Sequence, residues 1–143
     1  MTLTQPGSTA GIVFRRLDAA DERLRAEPLL AVRGLHPHEP ACAWYGLCDL
    51  TVAETDGLAG VVVVCPLDAT TVRLCGLAVS DRYRGRGLGW RLLDEVADRL
   101  RASGVEQIVA PPVPDRGIAG LLARAGFVAV RQGHPAGWQS LPL

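Results

Sequence analysis

The chain has 143 residues, 48% of them apolar and 21% charged, which is the profile of one globular unit and excludes a disordered one. Its 15 basic and 15 acidic residues cancel, so the charge balance points to neither nucleic acid nor an anionic membrane as a partner. Every basic residue is Arg, and without Lys the chain can run neither lysine Schiff-base chemistry nor the phosphate-binding loop that depends on one.

Residues 1–10 are small and polar and read as a loose tail on a single domain spanning 1–143. They lack the basic end and apolar stretch of a signal peptide, and no apolar run approaches the roughly 18–20 residues that cross a bilayer, so a cytoplasmic location is expected. Ile12 to Leu17 predicts a first strand. From Ala19 to about Gly34 the Ala, Leu, Arg and Glu content predicts a helix that Pro28 must interrupt or restart. His36-Pro-His-Glu-Pro40 is a rigid connector. Its two histidines bracket a proline and have no obvious third ligand, so no metal is expected there.

Ala41–Leu47 reads as a short second helix and Leu50–Glu54 as a strand, followed by an acidic-Gly turn at Asp56-Gly57. The β-branched run Val61–Val64 marks a buried strand, and Thr71–Val79 the next one. Leu88, Leu92, Leu93, Val96 and Leu100 then recur at helical spacing up to Gly104. A strand over Glu106–Ala110 runs into Pro111, Pro112 and Pro114. Asp115 is placed to cap a helix that ends at Gly126. Phe127–Arg131 and Trp138–Leu143 complete the pattern as strands, the last of them an edge. The fold class is therefore α/β, a mixed sheet with helices on it. The four cysteines show no CxxC spacing; Cys65 and Cys75 sit in apolar strands as structural thiols, and no disulfide is expected in a reducing compartment.

The chemically informative stretch is Arg84-Gly-Arg-Gly-Leu-Gly-Trp90, lying between a strand and an amphipathic helix. Glycines at 85, 87 and 89 let the backbone turn tightly with its N–H groups outward. At the positive end of a helix dipole, those donors suit a pyrophosphate, with Arg84 and Arg86 at the rim. The dinucleotide fingerprint G-x-G-x-x-G fails: its last position is Trp90 counted from Gly85, and Leu92 counted from Gly87. A general anion-binding turn without preference for any one ligand remains open.

These residues, preceded by Leu77-Ala-Val79, resemble the signature of the GNAT superfamily of acyl-CoA-dependent N-acetyltransferases, (Gln/Arg)-x-x-Gly-x-(Gly/Ala), with Arg84, Gly87 and Gly89 at the fixed positions. Leu121-Leu-Ala-Arg-Ala-Gly-Phe127 is similar to the family's second signature. The resemblance implies a twisted, mostly antiparallel sheet with helices on both faces and a V-shaped splay between its central strands. It implies that Leu77, Ala78 and Val79 meet the pantetheine arm of acetyl-CoA, that amides from Gly85 through Leu88 to Trp90 hold the pyrophosphate, and that a backbone N–H near Val79 polarises the thioester. Asp115 stands where an Asn usually lies near the pantetheine. The implied reaction moves an acetyl or short acyl group to a primary amine, on a small molecule or a peptide N-terminus, by direct attack, with no metal. A homodimer through exposed sheet edges is compatible with it.

Two positions depart from the family pattern. Leu122 stands where members usually carry a Tyr general acid, and Ala110 where a Glu base is often found. Candidate substitutes are Cys75, His134, Tyr45 and Glu54, each of which also has a plain structural reading as core, turn, packing or hairpin-end residue. The alternative function is a non-catalytic acyl-CoA-binding sensor or partner subunit.

Overall fold

The computed structural model describes residues 11–32, 42–52, 57–130 and 136–143. Seven strands form one sheet in the order β1-β2-β3-β4-β5-β7-β6. Strand β1 covers Ile12–Arg16, β2 Ala43–Asp49, β3 Leu58–Pro66, β4 Thr71–Val79, β5 Gln107–Ala110, β6 Val128–Ala129 and β7 Gln139–Pro142. The helices are α1 (Ala20–Val32), α2 (Leu88–Ala102) and α3 (Arg116–Ala125), with a single 3₁₀ turn over Asp81–Tyr83. All pairings are antiparallel except β4 with β5, whose parallel register requires the α2 crossover.

Each face of the sheet buries its own core. Val62, Val64, Leu74 and Leu77 point to the side covered by α2 and α3, where Leu92, Leu93, Val96, Ile118 and Leu122 meet them. Val61, Val63 and Ala78 point the other way, against Leu17, Ala26 and Leu30. The run Val61–Val64 is apolar without alternation because both its faces are covered.

The structure corrects several expectations. Ala43–Leu47 belongs to a strand, not a helix: Trp44 and Tyr45 are buried on opposite faces between β1 and β3, the two-residue period of a central strand. The predicted strand from Leu50 begins too late, because Asp49 ends β2 by accepting hydrogen bonds from Thr51 N–H (2.9 Å) and the Thr51 hydroxyl (2.6 Å), a side-chain turn that competes with the ladder. Helix α1 runs through Pro28 without a break. The lost backbone bond is outweighed by packing, since Ala26 and Leu30 on either side of it are fully buried against the sheet. Strand β7 is internal and β6 takes the edge, because the last segment pairs with β5 on one side and β6 on the other. Finally, Cys42 and Cys65 form a disulfide, contrary to expectation. Strands β2 and β3 pair Ala43 with Val64, which brings these cysteines opposite each other, a proximity that their separation along the chain conceals.

Candidate functional site

The site begins at an irregularity in β4. Its register with β3 slips between Val63 and Val64, so that Val63 faces Gly76 while Val64 faces Leu74, leaving Cys75 as the extra residue of a bulge. On its other edge, β4 pairs with β5 only at Thr71, Val72 and Arg73. Beyond that point β5 ends at Ala110 and enters Pro111 and Pro112, which have no N–H to continue a ladder. Bulge and prolines together part the two strands, leaving the β5-side edge of β4 from Leu74 to Val79 outside that ladder.

The paired end of the wedge is held by polar side chains. Ser140 Oγ donates to Gln107 Oε1 at 2.8 Å, and Gln107 Nε2 donates to Thr71 Oγ1 at 3.1 Å, tying β7, β5 and β4 together. Thr71 and Ser140 are buried, so this chain satisfies groups that would otherwise be costly to desolvate.

The unpaired end of β4 borders a cavity of about 590 Å³, lined by Leu77, Ala78 and Val79 and by Arg84, Gly85, Gly87, Leu88, Gly89 and Trp90 of the glycine turn and α2. Asp115, Ile118, Leu121 and Arg124 from α3 form the opposite wall. Gly85 (φ +79°) and Gly87 (φ +72°) adopt the left-handed backbone that disfavours side chains, and a Cβ built on either meets nothing within 4 Å. Helix α2 starts immediately after, and its first internal bond is Arg91 N–H to Gly87 C=O. The N–H groups of Leu88, Gly89 and Trp90 precede that bond and have no partner within the helix, so orphan donors border the open space. At Gly89 the need is different: a Cβ would lie 2.7 Å from Leu121 Cδ2, so glycine allows α2 and α3 to approach.

Arg86 does not line the cavity. Its guanidinium lies 5.1 Å from the centre of the Tyr83 ring, backing the turn from outside. Tyr83 is a residue that the sequence reading passed over. It is buried, and its hydroxyl donates to Asp49 Oδ2 at 2.8 Å, anchoring the glycine turn to the end of β2. Hydrogen bonds from the Thr51 hydroxyl and N–H, then Tyr83 and the charge of Arg86, hold the Asp49 carboxyl below the ordinary carboxylate range. Burial and the bond to Asp49 push the Tyr83 phenol upward. Both shifts favour the hydrogen-bonded pair, which therefore contributes fully above about pH 5. That contribution is lost as pH falls through the lowered Asp49 value, and again as it rises past about 10. Tyr83→Phe is expected to cost about 1 kcal/mol at pH 7, as read by urea unfolding, while the Thr51 bonds keep most of the acid limb of a stability–pH profile. An unchanged stability at pH 7 would remove the pair from this role.

Asp115 caps α3, its carboxylate accepting from Ile118 N–H at 3.0 Å, as its position predicted. Of the candidate proton-transfer substitutes, Tyr45 and Cys75 do not line the cavity. Tyr45 is buried on β2, stacked on Phe14 at 5.5 Å. Cys75 sits in the bulge with its sulfur 2.8 Å from Cys65 Sγ. Glu54 and His134 lie outside the described residues, as does the His36–Glu39 connector. Leu122 and Ala110 are buried and aliphatic. Among the described residues no helix is long and apolar enough to cross a membrane.

Comparison with known proteins bears directly on this wedge and turn. No curated protein matches the chain. Solved structures do. A GNAT-family protein from Desulfovibrio desulfuricans is 22% identical with a TM-score of 0.70, the match covering 92% of this chain and 98% of that one. A GNAT-family acetyltransferase from Elizabethkingia anophelis, solved with acetyl-CoA, is 16% identical with a TM-score of 0.66, covering 94% and 99%. An acetyltransferase from Bacillus subtilis in complex with CoA is 16% identical with a TM-score of 0.70, covering 92% and 99%. At these identities the likeness establishes the fold. Residues 18–127, which hold α1, the bulged β4, the glycine turn and both helices that wall the cavity, match the acetyltransferase (GNAT) family, and the chain belongs to it.

Proposed function

We propose that the protein moves an acetyl or other short acyl group from CoA to a primary amine, which attacks the thioester directly. The observation that carries this reading is the meeting of the unpaired end of β4 and the glycine turn in one cavity. An acyl-CoA bound there supplies an activated acyl group and a thiolate leaving group. The cavity suits such a ligand. Its mouth offers the orphan donors of α2 and the charges of Arg84 and Arg124 to a pyrophosphate, while Leu77, Ile118 and Leu121 present apolar walls to the pantetheine arm. The open edge of β4 from Leu74 to Val79 can take the arm as a further strand, with a backbone N–H near Val79 aimed at the carbonyl.

Among the described residues, the titratable side chains that line the cavity are Tyr83, Arg84, Asp115 and Arg124. Tyr83 is committed to Asp49, and Asp115 to the α3 cap. Among the described residues, then, none that lines the cavity is left to serve as a placed acid or base, help worth roughly 10²–10⁴-fold. The buried aliphatic side chains of Leu122 and Ala110 favour a second reading, a sensor that binds acyl-CoA without turning it over.

The test is calorimetric titration with acetyl-CoA beside an ATP control, followed by assay of thiol release with a panel of primary amines. Micromolar acetyl-CoA binding that ATP does not reproduce, with amine-dependent thiol release, supports transfer. Binding with no release from any amine assigns the sensor reading. Equal binding of ATP reduces the turn to a general anion site, and both readings fall.

A further inference from the structure

The disulfide does not stand alone. Cys42, Cys65 and Cys75 place their sulfurs within 4.8 Å of one another, on three neighbouring segments of the sheet and on the face away from the cofactor turn. Cys42 immediately precedes β2, Cys65 lies near the end of β3, and Cys75 is the bulge residue of β4. Cys42 and Cys65 are 3% and 2% exposed, whereas Cys75 is half-buried, so reductants and oxidants reach the cluster through β4. The Cys75 and Cys65 sulfurs are 2.8 Å apart, which is about 0.8 Å longer than a disulfide bond.

We infer that the three residues form a thiol–disulfide exchange centre with Cys65 as its hub. In the exchange, Cys75 loses its proton and its thiolate attacks Cys65 Sγ. The Cys65–Cys75 bond forms as the Cys42–Cys65 bond breaks, and the electron pair leaves on Cys42 Sγ, which takes up a proton. Nothing is oxidised or reduced overall. Entry from the fully reduced state needs a small-molecule disulfide, which accepts two electrons and leaves as two thiols. The exchange moves the cross-link from β2–β3 to β3–β4, onto the bulge that starts the wedge. Cys42 and Cys75 cannot bond directly without backbone movement. Their segments flank β3, about 9–10 Å apart at the usual strand spacing, beyond the roughly 7 Å that a disulfide spans.

The sequence provides a direct readout. No Arg or Lys falls between Arg33 and Arg73, so trypsin leaves Cys42, Cys48 and Cys65 on the peptide 34–73, and Cys75 on the peptide 74–82. Reduced whole protein is oxidised with glutathione disulfide, quenched with N-ethylmaleimide, digested and mapped by mass spectrometry. The expected products are the peptide 34–73 lighter by two hydrogens, and that peptide joined to 74–82. In Cys42→Ser the joined product should become the main intramolecular disulfide, and in Cys65→Ser it should be lost. Wild-type protein that yields only the internally closed peptide, with Cys75 fully alkylated, overturns the inference. So does a joined product that persists in Cys65→Ser. The wild-type result stands whether or not the variants fold.

Discussion

Gly87→Glu should weaken acetyl-CoA binding by roughly 100-fold or more in calorimetry while leaving the chain folded. Gly87 carries φ +72° at the start of α2, and a side chain there projects into space that is open in the native chain. A carboxylate at that point repels a pyrophosphate and occupies the helix terminus that would hold it, and each charge-assisted hydrogen bond lost is worth about 1.5–3 kcal/mol. Two such bonds exceed the roughly 2.8 kcal/mol that corresponds to a 100-fold change. Gly87→Ala separates the causes. It carries the backbone strain, of order 1–2 kcal/mol in stability, without the charge, and should reduce affinity far less. Unchanged affinity in a folded Gly87→Glu protein would take the glycine turn out of the cofactor site.

Leu92→Ala should lower stability by about 3 kcal/mol, measured as a shift in the urea midpoint at constant slope. Leu92 is fully buried on α2, and its Cδ1 lies 2.8 Å from where a Cβ on Gly60 would be, so its tip occupies the space that the glycine of β3 leaves vacant. Truncation leaves a cavity that the flanking sheet cannot collapse into, because Gly60 is paired with Leu47 on β2 and Val79 on β4. A loss below about 1 kcal/mol would show that α2 is seated on the sheet by other contacts. Since α2 also presents the orphan amides at the cavity mouth, the same variant should weaken acetyl-CoA binding moderately, through misplacement of the helix rather than loss of a contact.

Local rules wrote much of this site into the sequence. Helix α2 was legible from its apolar period because one face of it, Leu88 through Leu100, meets a continuous core. The ends of α3 were legible because Asp115 and Gly126 perform capping chemistry that needs only neighbouring backbone. The glycine turn was legible because left-handed backbone at Gly85 and Gly87 demands that residue type. The departure of β5 from β4 was legible because proline cannot extend a ladder.

What failed was whatever depends on which strands become neighbours. Strand β2 reads as helix in isolation, and only burial between β1 and β3 makes its aromatic pair a strand. The β4 bulge is a register difference with β3, a property of two strands that neither carries alone. Tyr83 gave no signal because its partner, Asp49, is distant along the chain. The three clustered cysteines were invisible for the same reason, lying on separate segments with no motif spacing. The sequence by itself determined the family, the glycine turn and the ends of α3, since each rests on residue chemistry within a few positions. Tertiary structure alone decided the order of the sheet, the shape of the wedge, the anchoring of the turn and the cysteine cluster. Those depend on strand pairing, which brings together side chains that no local pattern relates.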